Sequence, residues 1–468
     1  MVPVFDKTFL DVLNEIDGVL WGPFVLIPLL LGGGLILTTR LRGVQFRKLG
    51  PALKLALIKR SEKGADGSDD SLEGDISHYQ ALTTALAATV GVGNIAGVAT
   101  AIHIGGPGAV FWMWVTGLVG MASKYSEAFM AVRFREHDEH GQISGGPQYY
   151  LEHVTKNGFG KFLAMAFAIF AVIASFGIGN LTQANAVAGQ LQDSFGIQPA
   201  IVGLVMAVGT GVVLIGGIKS IGRVTAAFVP MMIILYVGAA LIVLALHITA
   251  IPAALGMIIH DAFTGTAATG GFVGSAFMVA LQYGVARGIF SNESGMGSAA
   301  IAAAAAKTRE PVRQGLVSMT QTFIDTIIVV TMTALVIVVT GAWETGKDGS
   351  PLTAEAFTIG FPGTQGHVIV AISIVFFAFS TILGWAYYGE RCAEKLVGYK
   401  GVIVYRILFS IVVFIGATTA LDVAWTFADI ANALMAIPNL IGLLLASGLI
   451  ARETRAYLRR DPKLEAVD

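Results

Sequence analysis

The sequence predicts an all-α integral membrane protein of about eleven transmembrane helices, the last ten forming two inverted five-helix repeats. Three observations carry that prediction. Of 468 residues, 55% are hydrophobic and only 13% charged, with a mean hydropathy of +0.73, against about 25% charged in soluble domains. Apolar stretches recur along the whole chain, each long enough to cross the roughly 30 Å of a bilayer's hydrocarbon. Lysine and arginine crowd into alternate loops, as basic residues do when they are retained on one membrane face.

The spans fall at about 19–39, 77–103, 107–132, 162–191, 197–216, 224–247, 270–306, 315–340, 367–388, 402–419 and 423–451. Before the first stand Asp6, Asp11, Glu15 and Asp17 without a basic region, so this start is not a cleavable signal peptide. After it come Arg40, Arg42, Arg47, Lys48, Lys54 and Lys59, and Lys219, Arg223, Lys307, Arg309, Arg313, Arg391 and Lys395 fill later loops on the same side. The alternate loops 249–269 and 417–422 contain neither Lys nor Arg. These positions put the N-terminus outside and the C-terminus in the cytoplasm. The chain reads as one membrane domain, with an extra helix at 19–39, repeats at 76–247 and 270–451, a flexible polar loop at 61–75 and a cytoplasmic tail at 452–468.

Several function classes are excluded. Net charge is −1 and no basic stretch is interleaved with aromatics, which argues against nucleic acid. Cys392 is the only cysteine, so thiolate metal sites lack ligands. The run Gly216 to Ser220 lacks phosphate-loop spacing, and no zinc-type His/Glu motif occurs, so an enzyme is not expected. His137, Asp138, Glu139 and His140 read as a solvated loop. No cofactor and no obligate protein partner is implied.

The second span reads Thr89-Val90-Gly91-Val92-Gly93-Asn94, and the seventh reads Gly288-Ile289-Phe290-Ser291-Asn292-Glu293-Ser294-Gly295. Each glycine costs about 1 kcal/mol inside a helix, and Asn and Ser compete for backbone hydrogen bonds, so both spans should unwind midway. Unwound backbone in hydrocarbon must line a cavity or be buried in protein. The breaks stand five helices apart and run in opposite directions, the plan by which secondary transporters build a midplane site. A zwitterion suits it, with its carboxylate on amides around Gly91, Gly93 and Asn94 and its ammonium on carbonyls near Phe290 and Ser291. A channel would also tolerate such breaks, but channels usually repeat one filter around an oligomer.

Segments 93–102, 105–114, 145–150, 284–299, 323–326, 379–390 and 428–444 (GNIAGVATAI, GGPGAVFWMW, GGPQYY, GVARGIFSNESGMGSA, FIDT, FSTILGWAYYGE and ADIANALMAIPNLIGLL) resemble the alanine or glycine:cation symporter family over nearly the whole chain. The resemblance implies the fold of the amino-acid and sodium symporters of the APC superfamily. It also implies small neutral amino acids such as alanine or glycine as substrate, Na⁺ or less often H⁺ as coupling ion, and a prokaryotic cell membrane. Residues 89–94 are also similar to the first-helix motif of sodium symporters of leucine-transporter type. By that analogy carbonyls of Ala87 and Val90 and hydroxyls of Ser380 and Thr381 hold Na⁺; alternatively both hydroxyls bond back to their own helix.

Asn292 and Glu293 lie in the seventh span's break, where a carboxylate reads as functional, although Glu293 can also cap the second half-helix or pair with Arg287. Asp325 and Asp429 are either cation ligands or partners that hold the bundle. Asn180 and Gln183 belong to a polar stripe, with Asn185, placed beside the site. Trp385, Phe290 and Phe176 either wall the pocket or simply pack.

Overall fold

The computed structural model describes residues 7–22, 24–59, 72–155, 157–264, 273–361, 363, 366–419, 421–462 and 464. An amphipathic helix α1 (Lys7–Leu20) precedes the apolar α2 (Leu26–Arg40). The expected span 19–39 is therefore divided at Trp21 and Gly22, whose added Cβ would meet the Gly18 carbonyl oxygen at 2.7 Å. The second span opens with α3 (His78–Thr89), fixed by a reciprocal Ser77/Gln80 capping box. It breaks at Val90 to Val92, resumes in a wide π-turn at Gly93–Gly97, and ends in α4 (Val98–Gly105) with a 52° bend between its halves.

Next come α5 (Ala109–Arg133), α6 (Gly158–Phe176) and α7 (Thr182–Phe195), the last two joined through a π-turn at Gly177–Leu181. They are followed by α8 (Pro199–Ile215), α9 (Gly217–Leu246) and α10 (Ile251–Thr264). The seventh span is α11 (Val273–Asn292) and the short α12 (Ser298–Ala304). Between them Glu293, Gly295 and Gly297 take φ of 54°, 91° and 82°, so this break is a left-handed turn. Then α13 (Pro311–Thr322) passes through a π-helical stretch, Phe323–Val330, into α14 (Thr331–Val339). The chain closes with α15 (Gly349–Gly360), α16 (Gly366–Val397), α17 (Tyr399–Thr418) and α18 (Leu421–Arg460).

Among the described residues six continuous helices are long and apolar enough to cross a membrane, and the bent α3/α4 pair makes a seventh. Short α2 and α8 fall below that length, and α5 carries Lys124 and Glu127 in its middle. The segment read as the loop 249–269 contains the apolar α10, and the last helix runs on to Arg460 into the expected tail. Most of the loop 61–75 lies outside the described residues. At its end Glu73, Asp75 and Ile76 exchange backbone hydrogen bonds with Ala305, Lys307 and Thr308. In the loop at 137–140 His137, Glu139 and His140 are exposed, as expected, while a two-stranded hairpin, Glu136–His137 with Ile143–Ser144, turns Asp138 onto the buried Arg391 at 3.1 Å. Among the described residues no three His, Cys, Asp or Glu side chains group to hold a metal.

Helix α16 is the central post, touching α3, α6, α7, α9, α15 and α17. Small residues set its distance from α3: a Cβ on Gly384 would sit 2.7 Å from Ala88 Cβ and 2.9 Å from its Cα. Outward faces of α8, α9 and α17 expose Ile215, Ile234 and Ile403, the apolar surface that lipid covers. Gly384→Ala therefore forces α3 and α16 apart and should cost about 1–3 kcal/mol. An unchanged unfolding midpoint in detergent would refute this packing.

Candidate functional site

The two helix breaks meet, and one carboxylate joins them. Asp325, in the π-helical stretch after α13, is fully buried. Its Oδ1 accepts from Asn94 Nδ2 at 2.7 Å, in the first break, and its Oδ2 accepts from Ser291 Oγ at 2.9 Å, beside the second. Thr326 Oγ1 donates to the same Oδ2 at 2.9 Å and accepts from Asn292 Nδ2 at 3.1 Å. Phe290 closes the remaining gap by resting on Gly93, where an added Cβ would lie 3.0 Å from its ring.

The carbonyls and amides freed at the first break are taken by side chains of other helices. Thr333 Oγ1 donates to the Asn94 carbonyl and Thr353 Oγ1 to the Ile95 carbonyl, both at 2.8 Å. Asn94 Oδ1 accepts from the Gly91 amide at 2.9 Å, and Gln183 Oε1 accepts from the Val92 amide at 3.2 Å. The Gly91 and Val92 amides are thus taken by side chains of the chain itself in this conformation. Of the polar stripe only Gln183 reaches the break. Asn180 donates to the Phe409 carbonyl at 2.7 Å and Asn185 to the Gly416 carbonyl at 3.2 Å, so both tie α6 and α7 to α17 instead.

The second break rests on Lys124, which the sequence analysis passed over. Its ammonium donates to the Glu293 carbonyl at 2.9 Å and lies 3.7 Å from Glu127 Oε2. Glu127 Oε1 accepts from the Gly297 amide and from Asn439 Nδ2, each at 2.9 Å, and Asn439 also donates to the Gly295 carbonyl at 2.8 Å. The residue that receives the amide entering the second half-helix is therefore Glu127, not Glu293. Glu293 accepts instead from Trp385 Nε1 at 2.7 Å and Ser298 Oγ at 2.5 Å. Trp385 can stand there because its Cβ occupies the space a side chain at Gly179 would need. A lysine and a glutamate one helical turn apart inside an apolar span were the signal for this cluster, since such charges are costly in a membrane.

Helix α16 brings the analogy's ion ligands together in part. Thr381 Oγ1 and Ser380 Oγ lie 2.9 and 3.3 Å from the Ala87 carbonyl oxygen. Each also bonds back to the Phe377 carbonyl, at 3.0 and 2.8 Å, as the alternative reading of these hydroxyls expects. Val90 departs from helix geometry at ψ 84°, and Gly91 leaves the room that Thr381 Oγ1 fills. Phe176 does not join the site; it packs on Tyr405 and Phe409, with ring centroids 5.4 and 5.6 Å away.

Beyond Phe290 opens a cavity of about 800 Å³, reaching from Ala96, Gly97 and Arg287 to Asn14, Asp193 and Asp348. Arg287 does not pair with Glu293. It forks onto Asp429 across this cavity, with Nη2 to Oδ2 at 2.9 Å and Nη1 to Oδ1 at 3.3 Å, and its guanidinium lies 5.5 Å from the Phe290 ring centre. On α1, which precedes the expected first span, burial and the neighbouring Asp429 carboxylate push Asp17 from the ordinary 3.8 up to about 7, with Arg287 opposing.

Residues 6–466 match the Sodium:alanine symporter family. The chain is similar to the sodium/alanine symporter AgcS of Methanococcus maripaludis, 51% identical over 454 residues that cover 96% of this chain and 97% of that one. It is 36% identical over 460 residues to the probable sodium/glutamine symporter GlnT of Bacillus subtilis, covering 96% and 92%. Its fold resembles that of MhsT solved in complex with L-phenylalanine, with a TM-score of 0.53 at 14% identity over 82% of this chain and 99% of that one.

Two outcomes follow from this geometry. Lys124→Met leaves the Glu127 carboxylate buried without its cation and should destabilise the protein by about 3–5 kcal/mol; wild-type thermal stability would refute the arrangement. Because the Asp17 pKa is raised on folding, its favourable share is complete below about pH 4 and is lost as pH climbs through 7. Asp17→Asn should flatten stability between pH 4 and 8, and an unaltered pH profile would rule this out.

Proposed function

The chain belongs to the sodium:alanine symporter family and is a sodium-coupled amino-acid symporter, and we propose that it carries alanine or glycine inward by alternating access. The observation that carries this reading is the meeting of two broken helices at Asp325, with Asn94 on one side and Ser291 on the other. A zwitterion needs donors and acceptors at opposite ends, which two facing helix breaks supply without a dedicated charged pair. Phe290 seated on Gly93 and Trp385 seated on Gly179 leave little room for a side chain, which favours the smallest amino acids. The name of the Methanococcus maripaludis relative, a sodium/alanine symporter at 51% identity, supports the same choice.

In this reading the substrate carboxylate replaces Gln183 Oε1 at the Val92 amide, and the ammonium meets carbonyls at the end of α11 near Phe290 and Ser291. Sodium takes the carbonyls of Ala87 and Val90 with the hydroxyls of Ser380 and Thr381, a set of hard oxygen donors suited to a hard cation. Protons are the alternative coupling ion. Ten helices form two inverted repeats, from residue 76 to 247 and from 270 to 451, with the N-terminus outside a prokaryotic cell membrane and the C-terminus in the cytoplasm. The basic loops then mark the inner face, and the cavity above Phe290 is an outer vestibule whose floor is the Arg287–Asp429 pair. At the inner end Arg135 donates to the carbonyls of Ala304, Ala306 and Thr308 at 3.0, 2.8 and 2.6 Å, which keeps that side closed.

The test is uptake of radiolabelled alanine into proteoliposomes under an inward Na⁺ gradient, a proton gradient, or neither. Accumulation is expected only with Na⁺, and purely downhill flux would defeat the coupling. Asn94→Ala and Thr381→Ala should each abolish accumulation while folded protein remains in the membrane. Wild-type rates in both would overturn the site.

A further inference from the structure

Between α2 and the second span the chain turns along the basic end of the bundle in two short helices, Val44–Arg47 and Leu49–Leu57. Their inner face is core: Val44, Ala52, Leu55 and Ala56 are buried, and the second helix packs on α13. Their outer face carries Arg42, Arg47, Lys54 and Lys59, all exposed, and Arg40 stands exposed at the end of α2. No Asp or Glu occurs from Arg40 to Lys59. Among the described residues none of these five cations pairs with a carboxylate.

The apolar side chains between them are exposed as well, with Phe46 at 60%, Ile58 at 73% and Leu57 at 42%. They continue the apolar surface of α2, where Leu35 and Ile36 are exposed one turn before Arg40. Beside Lys54 and Lys59 lies a cleft of about 330 Å³, completed by Gly50, Pro51, Pro462 and Leu464 and, among the described residues, lined by no carboxylate. Lys48 fixes its far wall by donating to the Pro462 carbonyl at 2.8 Å. Exposed bulky apolar groups alternating with unpaired cations, next to a lipid-facing helix, are the features of a helix lying in the membrane interface. A water-facing loop has no use for an exposed Phe46 and Ile58.

We propose that residues 40–59 form a binding site for anionic phospholipid, with the headgroup phosphate in the cleft between Lys54 and Lys59 and the acyl chains along Phe46, Ile58 and α2. The unpaired cations supply charge complementarity, and the apolar residues supply the second signal that distinguishes a lipid from a free phosphate. Orienting the chain during insertion would by itself require the charges but neither the cleft nor the exposed apolar side chains. The site stands whatever the chain transports.

The purified full chain in a neutral detergent is titrated with dioctanoylphosphatidylglycerol and, separately, with dioctanoylphosphatidylcholine, and bound lipid is counted by native mass spectrometry. Saturable binding of the anionic lipid alone is expected. Each cation removed weakens it roughly five-fold, so Lys54→Gln with Lys59→Gln should cost about twenty-five-fold. Lys54→Arg with Lys59→Arg should retain it, and Lys347→Gln, in a loop expected on the opposite face, should change nothing. Equal binding of the zwitterionic lipid, or displacement by equimolar inorganic phosphate, would overturn the assignment. Binding that emerges only after residues 62–71 are deleted would give these cations to that acidic stretch instead, and would overturn it equally.

Discussion

Everything at the centre of this protein depends on one constraint: backbone that has left the helix inside an apolar bundle must find every hydrogen bond it gave up. The chain meets it with side chains from distant helices. Thr333 and Thr353 take the carbonyls of the first break, Gln183 takes an amide, and Asn94 folds back on the Gly91 amide. Asp325 then binds both breaks to a third helix. Any movement of one break must therefore rearrange its bonds to the other two elements.

The second break obeys the same constraint with charge. Lys124, Glu127 and Asn439 come from two helices and take the carbonyls of Glu293 and Gly295 and the amide of Gly297. Burying an ammonium and a carboxylate is costly unless each is paired and hydrogen-bonded, and here each is held by the other and by backbone. The left-handed turn from Glu293 to Gly297 can persist because its surroundings leave it no alternative.

The two ends of the bundle differ in kind. At the basic end the chain is stitched by backbone pairing of Glu73 to Ile76 with Ala305 to Thr308, and Arg135 clamps the same carbonyls. At the other end a broad cavity descends to the Arg287–Asp429 ion pair on the Phe290 ring.

Composition, span length and charge asymmetry were enough to assign a helical membrane protein, and glycine runs at Gly91 to Gly97 and Gly288 to Gly297 were enough to place both breaks, because these are local costs that any neighbourhood must pay. The resemblance to a symporter family rested on short motifs of the same local kind. What the sequence left open were partnerships. Glu293 was offered Arg287 and found Trp385; Asp429 took Arg287 instead; Phe176, Asn180 and Asn185 turned to α17; and Lys124 went unnoticed until its ammonium reached the Glu293 carbonyl. A hydrogen bond between residues distant in the chain depends on helix packing, and packing is decided by small residues such as Gly179 and Gly384, whose close contacts only the assembled bundle defines.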